Sequence, residues 1–345
     1  MKIVEMNAIY YQNSFEKLNK FIDQKNPSKI FILVDENTHE YCLPKVLPEI
    51  ETHASIEILE IESGEKSKNI ETCIQLWASL LELKADRKSL LIHVGGGVIT
   101  DMGGFVASTY MRGISFVNIP TTLLSMADAS VGGKTGIDFE QSKNIIGTFA
   151  LPEMVLIQPS FLDTLPYNQL RSGFAEMLKH GLISDKEHWN ALINIKELTV
   201  EGVSPHIERT INIKKQVVDI DFKEENLRKT LNFGHTIGHG IESYFLHSKV
   251  PLLHGEAILL GMKYELEIAQ NKQLISEDLK NEIIANFSIF YSDILQIKVE
   301  FESILPYILK DKKNEKQNIN MSLLSEIGKC EYDCFTSLDE LKTIM

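Results

Sequence analysis

"IHVGGGVITDMGGFVAS", residues 92–108, runs an apolar β-branched stretch straight into three glycines and then into a helical pattern. Glycines at such a junction let a backbone come close to a pyrophosphate, and the start of the following helix offers unsatisfied N–H groups and a partial positive charge. The order is not G-x-G-x-x-G, so the ordinary dinucleotide fingerprint is absent. On these residues alone two readings stand, a nucleotide loop and a tight structural turn. Outward from this stretch, "IFILVD" (30–35), "IEILEI" (56–61), "SLLIHV" (89–94) and "ISFVNI" (114–119) alternate with helical patterns. That alternation predicts an α/β N-terminal domain built on a mostly parallel, doubly wound sheet with helices on both faces. "LVDENT" ends one strand with Asp35 and Asn37, and "SGEKSKN" adds Glu65 and Lys68. Each piece alone reads as solvated surface; together they lie on the edge where such sheets bind ligands.

From about residue 160 the strand signals fade. "NQLRSGFAEMLKHGLI", "IERTINIKKQVVDIDF", "LRKTLNFGHTIGHGIESYF" and "EAILLGMKYELEIAQN" carry a 3.6-residue period, which predicts a mainly α-helical C-terminal domain beginning between residues 150 and 165. "LKDKKNEKQNIN" (309–320) reads as a solvated loop before a short hairpin and a last helix from about Ser337. Within the helical half, His235 and His239 of "LNFGHTIGHGIE" are four residues apart and share one helix face. Such a pair alone is more often structural than metal-bound, but "GFAEMLKHG" supplies Glu176 one turn before Lys179, and "PLLHGEA" supplies His254 at the start of another helix. One glutamate and two histidines from three helices would leave coordination positions open, the arrangement of a catalytic metal rather than a structural one. HExxH is absent, which removes the metalloprotease reading. Arg112, Lys134, Lys143, Lys179, Lys214 and Arg228 gather around these segments beside Asn144 and Asn232. They suit an anionic substrate such as a phosphate ester or carboxylate, against the alternative of surface cations paired with the abundant glutamates, which weighs most for Lys214 and Arg228.

The chain has 345 residues, 43% apolar and 24% charged, enough to bury a large core in one or two domains. No apolar run nears the roughly 20 residues of a membrane-spanning helix, and the N-terminus lacks the apolar block of a signal peptide, so a cytoplasmic location is expected. Cys42, Cys73, Cys330 and Cys334 form no CxxC pair, arguing against a disulfide framework or a thiolate zinc site. A net charge of −13 disfavours nucleic acid and acidic membranes as partners, while leaving room for a local basic pocket.

The motifs taken together resemble the 3-dehydroquinate synthase family of sugar phosphate cyclases over nearly the whole chain. The likeness is densest from Gly95 to His254, in "GGGVITDMGGFVASTYMRGISFVNIPTTLLSMADASVGGKTGID", "AEMLKHG", "RKTLNFGHTIGHGIE" and "LLHGEA". It implies a divalent metal, zinc with cobalt as the alternative, on Glu176, His235 and His254. It implies NAD contacts at Asp35, Asn37, Glu65, Lys68, Gly95, Gly96, Gly97, Asp101, Thr121, Thr122, Asp128 and Lys143. Lys134, Lys179, Lys214, Arg228, Asn232 and His239 would serve catalysis, with Arg112, Asn144 and Lys312 or Lys313 as further substrate contacts. Residues 1–160 would form the NAD-binding domain and residues 161–345 the helical metal- and substrate-binding domain. Arg112 would reach a neighbouring subunit's site in a homodimer.

The implied reaction is redox-neutral and acts on 3-deoxy-D-arabino-heptulosonate 7-phosphate. NAD takes hydride from C5, phosphate leaves by β-elimination after loss of the C6 proton, hydride returns, and ring opening with an intramolecular aldol closes the carbocycle. The substrate's own phosphate would help remove the proton, so positioning and electrostatics would supply most of the rate. Ser142, Gly136, Asp138 and Gly240 depart from the family's usual glycine, alanine, asparagine and alanine, and Asp138 adds a negative charge near lysines expected to bind phosphate. The competing readings are a cyclase for another phosphorylated sugar, a metal- and NAD-dependent polyol dehydrogenase, and a non-catalytic phosphate-binding protein.

Overall fold

A computed structural model of the chain describes residues 8–140, 142–246, 248, 250–309 and 318–345, with the backbone alone at residue 142. Lys312 and Lys313 lie outside the described residues. The chain divides into two compact units, one ending at Pro166 and the other beginning at Tyr167.

The first unit is an α/β structure. Its elements are β1 (Ala8–Tyr10), α1 (Ser14–Lys25), β2 (Lys29–Asp35), the short helices α2 (Glu36–Tyr41) and α3 (Leu43–Val46), β3 (Ser55–Ile61), α4 (Ile70–Glu82), β4 (Leu90–Gly95), α5 (Gly97–Thr109), β5 (Ser115–Pro120), β6 (Lys134–Phe139), β7 (Ser142–Phe149) and β8 (Met154–Leu156). Six strands form one sheet in the order β1-β8-β5-β4-β2-β3, and every neighbouring pair is parallel. The four strands expected from their apolar runs are present within one residue at either end. Ile30 through Val34 of β2 are all 0% exposed, so both faces of the sheet are covered. That burial is why these strands are continuous apolar runs rather than alternating ones. On one face Phe31, Leu33, Leu91 and Phe116 pack with Leu76 and Leu80 of α4 and Met102, Phe105 and Val106 of α5. β3 lies at the edge, and only Leu59 of it is buried, which accounts for the charged Glu57 and Glu60 in its sequence.

The chain passes from β2 outward to β3, then crosses back to β4 on the other side of β2. The direction of winding therefore reverses between β2 and β4, and the crevice at their carboxyl ends is where open α/β sheets receive ligands. Asp35 ends one of these strands and Gly95 the other. β6 and β7 stand apart as an antiparallel hairpin, Lys134 paired with Phe149.

The second unit is mainly helical: α6 (Tyr167–Ser184), α7 (Lys186–Ile193), α8 (Val200–Ile220), α9 (His235–Phe245), α10 (His254–Asn271), α11 (Glu277–Leu295) and α12 (Phe301–Ile308), then a hairpin of β9 (Asn318–Glu326) and β10 (Lys329–Ser337), and α13 (Leu338–Ile344). α10 packs against α6, α9 and α11 and buries an apolar run, Ala257–Leu260, Met262, Leu266, Ile268 and Ala269, together with the carboxylates of Glu256 and Glu265. Two expectations are corrected here. The stretch 227–245 is not one helix but a 3₁₀ segment, Leu227–Asn232, followed by α9, because Gly234 takes a left-handed conformation (φ 81°). Residues 318–320, expected within a solvated loop, open β9, where Ile319 is fully buried.

All four cysteines are free thiols. Burial pushes Cys42 up to about 11 and Cys73 up to about 12, which leaves both as inert core residues.

Candidate active site

At the carboxyl ends of the sheet, Gly95 closes β4, Gly96 is the N-cap of α5 and Gly97 opens it, so bare backbone N–H groups face the crevice edge at a helix N-terminus. The N–H of Thr121 bonds the carbonyl of Gly95 at 3.0 Å, tying the end of β5 to the end of β4. Thr122 shares a 3.0 Å hydroxyl bond with Ser125, at the start of the single π-turn Ser125–Ala129 that carries Asp128. Asp35 caps α2, accepting the N–H of Thr38 at 2.8 Å and its hydroxyl at 2.9 Å, while Asn37 is exposed on that helix.

The charged residues expected around NAD already hold one another. Buried Lys68 pairs with Asp101 at 2.7 Å, and Lys143 pairs with Glu65 at 2.9 Å. Asp138 lies among them: its N–H bonds the Lys68 carbonyl at 2.9 Å and its carboxylate accepts the N–H of Asn144 at 2.8 Å. Burial, then the neighbouring Glu65, push its carboxyl up to about 6, against the pull of Lys68 and Lys143. The departure at this position therefore bears on Lys68 and Lys143 and on the left-handed backbone of Asn144 (φ 49°). Lys134 is exposed at the start of β6, directly after Gly132 and Gly133, whose φ values of 121° and 67° make the turn that sets it there. Arg112 is also exposed, in a run of three left-handed residues with Met111 at φ 50°, Arg112 at 68° and Gly113 at 114°.

In the helical unit, Glu176 of α6, His235 at the first position of α9 and His254 at the first position of α10 come together, each offering a ligand atom within 4.8 Å of the others. The Nε2 atoms of His235 and His254 stand 3.6 and 3.7 Å from the same oxygen, Oε1 of fully buried Glu176. A carboxylate and two imidazole nitrogens are the donor set of a divalent zinc-type site with room for substrate.

The local sequence explains this convergence. Gly234 breaks the chain between the 3₁₀ segment and α9; a Cβ there would stand 2.4 Å from Met262 Cγ and 2.9 Å from the Ile258 carbonyl oxygen, besides the cost of its positive φ. Its N–H donates to the buried carboxylate of Glu265 on α10 at 2.6 Å, a cap supplied from a neighbouring helix. The break also turns the carbonyl of Phe233 toward Nδ1 of His235, 3.2 Å away. α10 begins hard against α6: the Gly255 N–H donates to the Ser172 hydroxyl at 3.0 Å, and a Cβ at 255 would lie 1.9 Å from the Ser172 carbonyl oxygen. One residue on, Glu256 pairs with Arg171 and accepts the N–H of Leu253 at 3.0 Å. Both histidines are thus set by helix starts that admit little displacement.

Electrostatics separate the two rings. Burial, then Lys179, hold His235 well below the ordinary histidine range. Burial acts the same way on His254, but the Glu242 carboxylate and Glu176 outweigh it and push His254 up to about 10. His239 stands one turn along α9, its ring 5.1 Å from His235 and 5.8 Å from His254.

Lys179 is 1% exposed and ion-paired with Glu176. Lys214 on α8 and Arg228 are 6% and 2% exposed, so the surface-cation reading of these two is corrected: neither is a solvated side chain. Arg228 donates to the Phe222 carbonyl at 2.6 Å, and Asn232 to Glu224 at 2.7 Å. The loop that presents them is folded around Asp221, which accepts the N–H groups of Glu225, Asn226 and Arg228 at 3.0, 2.7 and 3.0 Å. Burial opposes the Asp221 charge, yet these donors hold its carboxyl below the usual range. The motifs do not single out Asp221, Glu242, Glu265 or Ser172. Only Glu242 has a readable signal, lying three residues after His239 and seven after His235 on the same helix face.

Among the described residues no helix is long and apolar enough to cross a membrane. The chain matches the model of the 3-dehydroquinate synthase N-terminal domain over residues 58–172 and that of the C-terminal domain over residues 173–314. It is 37% identical over 326 residues to the 3-dehydroquinate synthase of Parabacteroides distasonis, covering 94% of this chain and 92% of that protein. Its fold is similar to that of 2-deoxy-scyllo-inosose synthase complexed with carbaglucose-6-phosphate, NAD+ and Co2+ (TM-score 0.87, 24% identity, 98% of this chain and 95% of the other). It is likewise similar to 2-epi-5-epi-valiolone synthase from Streptomyces hygroscopicus subsp. jinggangensis with NAD+ and Zn2+ bound (TM-score 0.86, 23% identity, 100% and 96%). With both halves matched in order and more than a third of residues identical across nearly the full length of a relative, the chain is an enzyme that belongs to the 3-dehydroquinate synthase family.

Proposed function

We propose that this enzyme turns 3-deoxy-D-arabino-heptulosonate 7-phosphate into 3-dehydroquinate and phosphate with NAD and one divalent metal per site, zinc or cobalt. The observation that carries the metal reading is the convergence of Glu176, His235 and His254, with both Nε2 atoms turned to one carboxylate oxygen. The N/O donor set and the metals and NAD+ bound by the two cyclases of similar fold support it. A metal held there would act as a Lewis acid toward substrate hydroxyl and carbonyl oxygens. NAD would supply a reversible hydride acceptor that ends each turnover oxidised.

In this reading residues 1–160 bind NAD through the β2 and β4 strand ends, Asp35, Asn37, Gly95, Gly96 and Gly97, with Thr121, Thr122 and Asp128 beside them. Glu65, Lys68, Asp101 and Lys143 are pre-paired, so NAD meets a charge set that needs no reordering. Residues 161–345 hold metal and substrate. Lys179, Lys214 and Arg228 are buried cations, and burial strengthens their pull on phosphate and carboxylate oxygens. Asn232 and His239 add further hydrogen bonds, and Lys134, Asn144 and Lys312 or Lys313 complete the substrate's anionic contacts. Arg112, exposed on a left-handed backbone run, serves a neighbouring copy in a homodimer.

The test is to incubate the purified protein with NAD, zinc and the heptulosonate phosphate. Phosphate and dehydroquinate should appear in equal amounts, with no net absorbance at 340 nm and with loss of turnover on chelation. Absence of both products sinks the assignment; release of phosphate only from glucose 6-phosphate would move the chain to another cyclase activity. For the dimer, mixing inactive Arg112→Ala and His254→Ala chains should restore part of the activity, because each hybrid pairs an intact triad with an intact Arg112. No restoration would place Arg112 within its own subunit's site or outside the site altogether.

A further inference from the structure

Two candidate ligand triads share one residue: Glu176, His235 and His254 form the first, and His239, Glu242 and His254 the second. An imidazole has two nitrogens with one task each. His254 turns Nε2 to Glu176 at 3.7 Å and Nδ1 to Oε2 of Glu242 at 3.2 Å. The Glu242 side chain is 6% exposed, and it comes from α9, the helix that also carries His235. His235 repeats the pattern with a different acceptor, its Nδ1 facing the Phe233 carbonyl at 3.2 Å and its Nε2 facing Glu176. Two rings from two helices, inclined at 67° to each other, thereby each turn Nε2 to Glu176 while Nδ1 faces an acceptor of a different kind.

We propose that Glu242 is a positioning residue: it accepts the Nδ1 proton of His254 and so presents Nε2, in the correct tautomer, to the metal, and it is not a ligand of a second metal. This inference rests on the metal reading above. A carboxylate behind a ligating imidazole fixes its ring and raises its basicity, and losing such a partner weakens metal binding by about 10 to 100-fold. The second triad is then the support of the first, and the chain binds one metal.

The experiment uses the full chain stripped of metal and titrated with Zn2+ against a competing chelator, with Co2+ as the spectroscopic probe. The wild type should bind one metal per chain. Glu242→Ala should raise the Zn2+ dissociation constant on the order of 100-fold and change the visible Co2+ spectrum, because His254 is no longer held. Glu242→Gln keeps size and an acceptor oxygen but not the charge; it should keep the Co2+ spectrum and lose on the order of tenfold in affinity. This second variant carries the test if the alanine variant fails to fold, as judged by circular dichroism. Wild-type affinity in either folded variant overturns the proposal, as does a wild-type stoichiometry of two metals that falls to one in Glu242→Ala. His254→Ala separates the two levels: if it binds Zn2+ as tightly as the wild type, the metal reading itself fails. If it loses metal while Glu242→Ala does not, only the role of Glu242 fails.

Discussion

The strand-end cluster of the α/β unit and the triad of the helical unit are built by opposite means. Around the glycines of β4 and α5, Lys68, Asp101, Glu65, Lys143 and Asp138 satisfy one another through flexible side chains. Around Glu176, the site atoms are set chiefly by where helices start, at the break before α9 and at the α10 start seated on Ser172, with the Phe233 carbonyl and the Glu242 carboxylate behind the two rings. Lys143, Glu65 and Asp138 are only partly buried and can pair anew when one member is lost, whereas a ligand fixed by a helix start has no substitute. Changes in the helical site should therefore act nearly all-or-none, and changes in the strand-end cluster should grade.

The sharpest break would come from His254→Ala. Removing one of three ligand side chains should lower kcat by about 10³-fold or more while circular dichroism and the thermal midpoint stay near wild type. Retained turnover with stoichiometric metal would remove His254 from the site and with it the contrast between the units.

Next in size is Gly255→Ala, which leaves every ligand in place. A methyl group 1.9 Å from the Ser172 carbonyl oxygen forces α10 away from α6, at a cost of about 3 kcal/mol by urea unfolding. The same shift draws His254 away from Glu176, so metal affinity should fall with stability. If stability falls and metal affinity does not, the helix start does not govern the ligand, and the triad is more adaptable than its packing implies.

Legibility in the sequence follows the same division. β2, β3, β4 and β5 are readable because each is long enough to show an apolar run. β1 and β8 span three residues each, too few for any periodicity, and β6 and β7 are interrupted by glycine and polar residues. Glu176, His235 and His254 stand out as residue types in ordered motifs. The break before α9 does not, because the 3.6-residue period of the flanking segments runs on through Phe233 and Gly234. Glu265 is invisible because it serves the N–H groups of a helix start on another element, a tertiary relation with no local pattern, while Asp221 gathers the N–H groups four to seven residues after it in a spacing that no motif advertises. The surface alternative for Lys214 and Arg228 stays open in the sequence because much of what buries them lies elsewhere in the chain.

In the α/β unit the expected effects are smaller. Lys134→Ala, read by titration with a phosphate-bearing substrate analogue, should weaken binding by about 1.5 to 3 kcal/mol, one charge-assisted hydrogen bond. Unchanged affinity would take Lys134 out of the phosphate contacts and leave Asn144 and the buried cations of the helical unit to make them.

The smallest effect tests whether the strand-end network is as accommodating as its pairings imply. Asp138 carries a carboxyl raised from 3.8 to about 6 by burial and by Glu65. Between those values the folded chain holds a proton that the unfolded chain has released, so this group makes stability fall as pH rises from about 4 to 6 and level off above. Because Asp138 is only partly buried, the change should amount to about 1 kcal/mol rather than the full difference in proton affinity. Asp138→Asn keeps an acceptor for the Asn144 N–H and removes the charge. Its denaturation profile should lose that decline and lie above wild type at pH 7, with Lys68 and Lys143 still paired to Asp101 and Glu65. A variant less stable than wild type at pH 7 would mean that the negative charge is needed between the two lysines, and that this cluster is as exacting as the one around Glu176.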